Sequence, residues 1–242
     1  MAEATASARP TVVLIHGAFA ESSSWNDVIS SLRTLGYPVV APANPLRGVT
    51  SDARYIASTL NSIKGPIVLV GHSYGGSVIS TAATGNSRVK ALVFVAAFAP
   101  EAGESAATLS GRFPGSTLGP TLAPPVPLPD GTADLYIQQD QFRAQFCADV
   151  PEPQAQRMAA TQRPCTDLAL NEGAGAPAWK TIPSWFVFGE LDKNIPAAVH
   201  RFMAERASAR ATVEIKGASH ALSVSCADTV TAVILQATRH AR

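Results

Sequence analysis

Short runs of β-branched and aliphatic residues alternate with longer stretches whose apolar positions recur three and four apart. Thr11 to Ile15 is a continuous β-branched run, the pattern of a buried strand. Trp25, Val28, Ile29, Leu32 and Leu35 then fall at helical spacing, with Ser22 to Ser24 offering an N-cap and Gly36 just past the end. Tyr37 to Ala43 reads as a second strand, closed by Pro42 and Pro45. Ile56, Ala57, Leu60 and Ile63 predict a second helix, capped near Ser51 or Asp52. Ile67 to Gly71 is a third strand, a helix opens at about Tyr74 and stops near Gly85, and Val89 to Ala97 is a fourth strand. Strand–helix–strand units of this length call for crossover connections and a parallel sheet with helices on both faces.

The rhythm breaks after Pro100. Pro114, Pro120, Pro124, Pro125, Pro127 and Pro129 crowd one stretch in which no regular element is expected. Helical patterns resume over Ala133 to Phe146, Pro153 to Thr161 and Asp167 to Asn171. The aromatics Phe113, Tyr136, Phe142, Phe146 and Trp179 argue for an ordered insertion over one end of the sheet rather than a disordered linker. Residues 100–181 are therefore read as a cap, and 1–99 with 182–242 as the core. The alternation returns with a strand at Ser184 to Phe188, a helix over Pro196 to Ala207, a strand at Ala211 to Ile215 and a closing helix marked by Val230, Val233, Ile234 and Ala237.

Composition narrows the class. A chain of 242 residues with 46% hydrophobic and 15% charged residues is a globular domain able to bury its own core. A net charge of +1 supplies no field for nucleic acid or an anionic membrane. The longest apolar runs are far shorter than the roughly 20 residues of a spanning helix. Met1 to Pro10 lacks the apolar core of a secretory signal, so a cytoplasmic location is expected. Cys147, Cys165 and Cys226 have no zinc spacing. They read as small apolar residues, with a Cys147–Cys165 bridge as the alternative. No metal and no cofactor is expected, and the oligomeric state stays open, with a homodimer as one option.

The candidate chemistry sits at strand ends. Gly71-His72-Ser73-Tyr74-Gly75 fits G-x-S-x-G and stands between a buried strand and a helix, the context in which that motif presents a nucleophile. A serine hydroxyl needs a base. His220, in the loop after the last strand, is the best candidate. His16 and His72 abut the site, His200 lies on a helix and His240 is near the terminus. The base needs an orienting carboxylate, and Asp192 after the fifth strand gives the chain order Ser, Asp, His; Glu190 and Glu101 are its rivals. The backbone N–H groups of Ala18 and Tyr74 are the expected oxyanion donors. Phe19, His72, Phe113, Tyr136, Phe142, Phe146 and Trp179 are candidates to contact substrate.

These motifs, with His16-Gly17-Ala18-Phe19, Ser24-Trp25, Gly189-Glu190-Leu191-Asp192 and Gly217-Ala218-Ser219-His220, resemble the α/β-hydrolase superfamily. The resemblance is to the small branch of bacterial carboxylesterases, plant methyl esterases and hydroxynitrile lyases. It covers nearly the whole chain outside the cap. It implies an α/β fold with six parallel strands in spatial order 2-1-3-4-5-6, because the first strand starts too early for the family's usual leading hairpin. It also implies a serine hydrolase acting on small-molecule carboxylic esters or lactones. The plant hydroxynitrile lyases carry Lys where this chain has Ala221, and the Met after the serine of cofactor-free haloperoxidases is Tyr74 here. The alternatives are a lyase or C–C hydrolase on the same fold, and a non-catalytic ligand receptor.

Overall fold

The apolar residues of the central strands divide between two layers. Residues 9–241 are described by the computed structural model; the leader reading falls mainly on residues 1–8, outside them. The strands are β1 (Thr11–Ile15), β2 (Val39–Val40), β3 (Ile67–His72), β4 (Val89–Val95), β5 (Val126–Pro127), β6 (Ala133–Leu135), β7 (Cys165–Thr166), β8 (Ser184–Gly189) and β9 (Ala211–Ile215). Six of them form one sheet in the order β2-β1-β3-β4-β8-β9, and every neighbouring pair is parallel. Numbered among themselves, these strands run 2-1-3-4-5-6, as the sequence predicts.

Side chains alternate across a strand, so consecutive residues feed opposite layers. Val12, Leu14, Val68, Val70, Val93 and Val95 pack on the helices Asn26–Thr34 and Ala227–His240 through Val28, Leu32, Val230 and Ile234. Val13, Ile15, Leu69, Leu92 and Phe94 face the helices Val49–Ser62, Gly75–Ala82 and Ala197–Arg206 through Ile56, Val78, Ile79 and Val199. Burial on both faces explains the continuous apolar runs of β1 and β3. The second strand is shorter than Tyr37 to Ala43, and only Val39 and Val40 pair. Pro38 and Pro42 have no N–H to donate, so the ladder stops between them. The first helix also lacks the expected serine cap, because Ser22–Trp25 form a 3-10 turn of their own.

Between β4 and β8 the chain folds over the sheet's C-terminal end. β5, β6 and β7 make a small antiparallel sheet, and short helices cover Ala106–Ser110, Leu118–Thr121, Gln139–Phe146, Glu152–Ala160 and Asp167–Asn171. Two expectations are corrected here. The proline-rich stretch keeps a helical turn at Leu118–Thr121, where Pro120 falls within the first turn and loses no intrahelical bond. It also keeps the edge strand Val126–Pro127, where proline is tolerated. Ala133 to Phe146 is not one helix. Asp134 and Leu135 pair with Thr166 and Cys165, and the Gln162 side chain bonds both the N–H and the carbonyl of Ile137, so the helix starts only at Gln139. Cys147 and Cys165 are both buried and free, not bridged. Burial pushes each thiol up to about 12. No helix among the described residues is long and apolar enough to cross a membrane.

Candidate active site

Ser73 occupies the turn between β3 and the helix Gly75–Ala82 with φ at 53°, a left-handed conformation rare for serine. The end of β4 over-determines it. The Ser73 N–H donates to the carbonyls of Val95 and Ala96, and its own carbonyl accepts from Gly76 and Phe98. Glycine is required where chains meet at this turn. A Cβ on Gly76 would lie 2.1 Å from the Phe98 carbonyl oxygen, and one on Gly17 would lie 2.6 Å from the Ser73 Cβ.

His220 and Asp192 arrive from the loops after β9 and β8. His220 Nδ1 donates to Asp192 Oδ2 at 2.7 Å, and both side chains are fully buried. Nε2 of His220 is buried and makes no hydrogen bond among the described residues. Asp192 Oδ1 accepts from the N–H groups of Asn194 and Ile195 at 2.8 and 2.9 Å, which locks the carboxylate in its loop. The His220 loop is held twice more: His72 Nε2 donates to the His220 carbonyl at 3.1 Å, and the neighbouring Ser219 donates its hydroxyl and its N–H to Asp149. The His72 and His220 ring centres are 4.8 Å apart, one residue from Ser73. The rival carboxylates are engaged elsewhere. Glu190 accepts from the Gly217 N–H, and Glu101 pairs with Lys180 at 2.7 Å.

The loop after β1 lies against this turn. His16 donates from Nδ1 to the Gly17 carbonyl and accepts at Nε2 from the Asn44 N–H, while the Asn44 amide donates to the His16 carbonyl. These bonds fix one tautomer and hold Gly17 and Ala18 beside Ser73. The Phe19 N–H is taken by the Arg163 carbonyl, whereas the N–H groups of Ala18 and Tyr74 have no acceptor among the described residues. The Tyr74 side chain turns inward and donates to the buried Asp52 at 2.8 Å.

A profile of the alpha/beta hydrolase family matches residues 12–233. The chain belongs to the alpha/beta hydrolase family. It is 28% identical over 232 residues to a pyrethroid hydrolase of Sphingobium wenxiniae, covering 87% of this chain and 81% of that one. It is 34% identical over 107 residues to a carbendazim hydrolyzing esterase of Nocardioides, where the match spans 38% of this chain and 44% of the esterase. The crystal structure of polyneuridine aldehyde esterase superposes with a TM-score of 0.80 at 19% identity, over 95% of this chain and 99% of that one, a likeness of fold.

Charge in this alpha/beta hydrolase site is arranged by burial. Desolvation lowers His16 to about 4 and His72 to about 3, so both are neutral. Burial alone would raise the Asp192 carboxyl. The charge of His220 and the hydrogen bonds from His200 and His220 outweigh it and hold Asp192 well below the ordinary carboxylate range. His200 is a residue whose place the sequence does not reveal. Its Nε2 lies 3.2 Å from the same Asp192 Oδ2, with its ring stacked on Phe188.

Above Ser73 the hydrolase encloses a cavity of about 270 Å³, lined by Ala18, Phe19, Phe98, Leu118, Leu122 and Ile195 among others, and by no charged side chain. Of the aromatic candidates, Phe19 lines this cavity. Phe146 packs edge-on against Phe19, His72 and His220, and Phe142 stacks behind Phe146, fully buried. The other three lie elsewhere. Phe113 packs on Phe202, Tyr136 borders a separate depression with Ala123 and Pro124, and Trp179 donates to the Pro100 carbonyl at the base of the insertion. Small and aliphatic residues line the cavity in their place.

Proposed function

We propose that this chain is a serine carboxylesterase for uncharged esters or lactones. Ser73 Oγ attacks the ester carbonyl, and His220 Nε2 takes its proton. Asp192 keeps the Nδ1–H tautomer and balances the imidazolium charge. The N–H groups of Ala18 and Tyr74 hold the oxyanion. His220 then protonates the leaving alkoxide, and water activated by the same nitrogen hydrolyses the acyl-enzyme. The observation that carries this reading is the buried His220–Asp192 bond that leaves Nε2 unengaged, in a molecule whose Ser73 is held at positive φ and lines the cavity. The cavity's uncharged wall favours an apolar acyl or alkoxy group over a charged one, since an unpaired charge there would be desolvated without compensation. Residues 100–181 serve as the cap that supplies Leu118, Leu122 and Leu170 to the cavity wall. The free thiols of Cys147 and Cys165 fit a cytoplasmic enzyme.

The test uses p-nitrophenyl esters of graded acyl length and a fluorophosphonate. Wild type should turn over the short esters and take up one equivalent of probe, and Ser73→Ala should do neither. Retained esterase activity in Ser73→Ala, or resistance of wild type to the probe at neutral pH, would overturn covalent serine catalysis.

A further inference from the structure

We infer that His200 is a positioning residue that tunes the base through Asp192, a role that rests on the serine-hydrolase reading above. Asp192 Oδ2 faces two imidazoles, Nδ1 of His220 at 2.7 Å and Nε2 of His200 at 3.2 Å. Its Oδ1 is filled by two backbone donors. The carboxylate thus accepts four hydrogen bonds in a site closed to water, and His200 supplies the one that a simple serine–histidine–aspartate relay does not require. His200 reaches this position because β8 ends at Gly189, the loop returns through Ile195, and Pro196 starts the helix Ala197–Arg206 with its first turn facing the loop. Phe188 stacks on the His200 ring at 4.8 Å and fixes its plane. Burial keeps the ring neutral, so Nε2–H donates and no second positive charge competes with His220.

A donor on Oδ2 draws electron density from the carboxylate and reduces its pull on the imidazolium of His220. Without His200, Asp192 would hold the His220 Nδ1–H more tightly and favour the protonated ring, which cannot act as a base. Other titratable groups face this cluster from neighbouring elements. His72 donates to the His220 carbonyl, Asp149 accepts from Ser219, Glu190 accepts from Gly217, and Glu214 acts on His200 while paired with Arg201. None of them donates to Asp192, so the balance on Oδ2 belongs to the two histidines.

The experiment compares wild type, His200→Phe and His200→Gln. Phenylalanine keeps the stack on Phe188 and removes the donor; glutamine offers an amide N–H in its place. In His200→Phe the acid limb of kcat/KM should move up by roughly half to one pH unit. Activity on that limb then falls about 3- to 10-fold, while the alkaline plateau changes less than about two-fold and KM holds. The proton shared by His220 and Asp192, read by NMR without turnover, should shift downfield. His200→Gln should return both readouts toward wild type. A folded His200→Phe whose limb and bridging proton match wild type would overturn the role and leave His200 as packing. Wild type that neither turns over esters nor takes up a fluorophosphonate would overturn the serine reading instead, while the bridging proton still decides for or against His200.

Discussion

Acid should destabilise this protein well before its carboxylates titrate, and two buried histidines set the size of the effect. His16 and His72 have no exposed surface to speak of and are held at about 4 and about 3 by desolvation. Unfolded, each titrates near about 6.5. The folded state therefore binds fewer protons than the unfolded one, and their contribution is complete above pH 6.5 and lost as pH falls toward 4 and then 3. Linkage gives a loss of about 2 kcal/mol for each at pH 5 relative to pH 8, about 4 kcal/mol together. That is a large share of the ~5–15 kcal/mol that holds a typical domain folded. His200, also lowered by burial, adds to the same trend. Asp52, raised by burial, works against it, because it gains a proton more readily in the folded state. Asp192 is held low, so its contribution is full above the ordinary carboxylate range and is lost as pH falls through that range and below it. Urea unfolding at pH 8, 7, 6 and 5 measures the loss. His72→Gln keeps a donor for the His220 carbonyl and removes the titration, so its stability should fall by about 2 kcal/mol less over the same range. A wild-type stability that is flat from pH 8 to 5, or an unchanged slope in His72→Gln, would refute the argument.

Asp192→Asn should fold and lose up to ~10⁴ in kcat, because the tautomer of His220 reverses and the imidazolium loses its counter-charge. Glu190→Gln, whose partner is an exposed backbone N–H, should change kcat little; reversal of the two effects in steady-state kinetics would reassign the acid. Tyr74→Phe leaves the buried Asp52 one donor short and should cost about 1–3 kcal/mol, read as a fall in Tm. Gly76→Ala should prevent folding or displace the serine turn, since its methyl meets the Phe98 carbonyl; loss of soluble protein or of fluorophosphonate labelling would report it. Thiol titration should find Cys147 and Cys165 unreactive in the native protein and both reactive in denaturant, with or without prior reduction.

The core was legible because its signals are local. β1 begins and ends where its β-branched run does, and the serine turn is written in glycines whose spacing follows from backbone contact. The choice between Asp192 and Glu190 needed coordinates, since both follow β8 and only the path of the loop turns Asp192 toward His220. His200 stands eight residues from Asp192, and nothing in a helical pattern says which way its ring faces. The cavity was misjudged for a related reason. Aromatic residues mark burial, and Phe113 and Trp179 are spent on packing against Phe202 and Arg206 of a core helix, while Tyr136 borders a separate depression. The lining residues Ala106, Gly111, Gly119 and Leu170 carry no chemical signal in sequence. The strand at Ala133–Leu135 was hidden because it is only three residues long and one partner, β5, is a two-residue piece of the proline-rich stretch, while the other, β7, lies thirty residues further along the chain.

The apolar cluster above the sheet runs without a break from Ile15, Leu69 and Phe94 into Phe142, Phe146, Val150 and Ala159. Polar ties cross the same boundary, from Arg47 to Asp134, from Phe19 to the Arg163 carbonyl and from Ser219 to Asp149. The segment after β4 is therefore not an interchangeable module that can be excised or traded for that of a relative. Removing it would strip water-shedding cover from the sheet's own side chains and free the loop that carries His220. A change of size at Leu118, Leu122 or Leu170 along the cavity wall alters what fits without cutting a tie that both halves share.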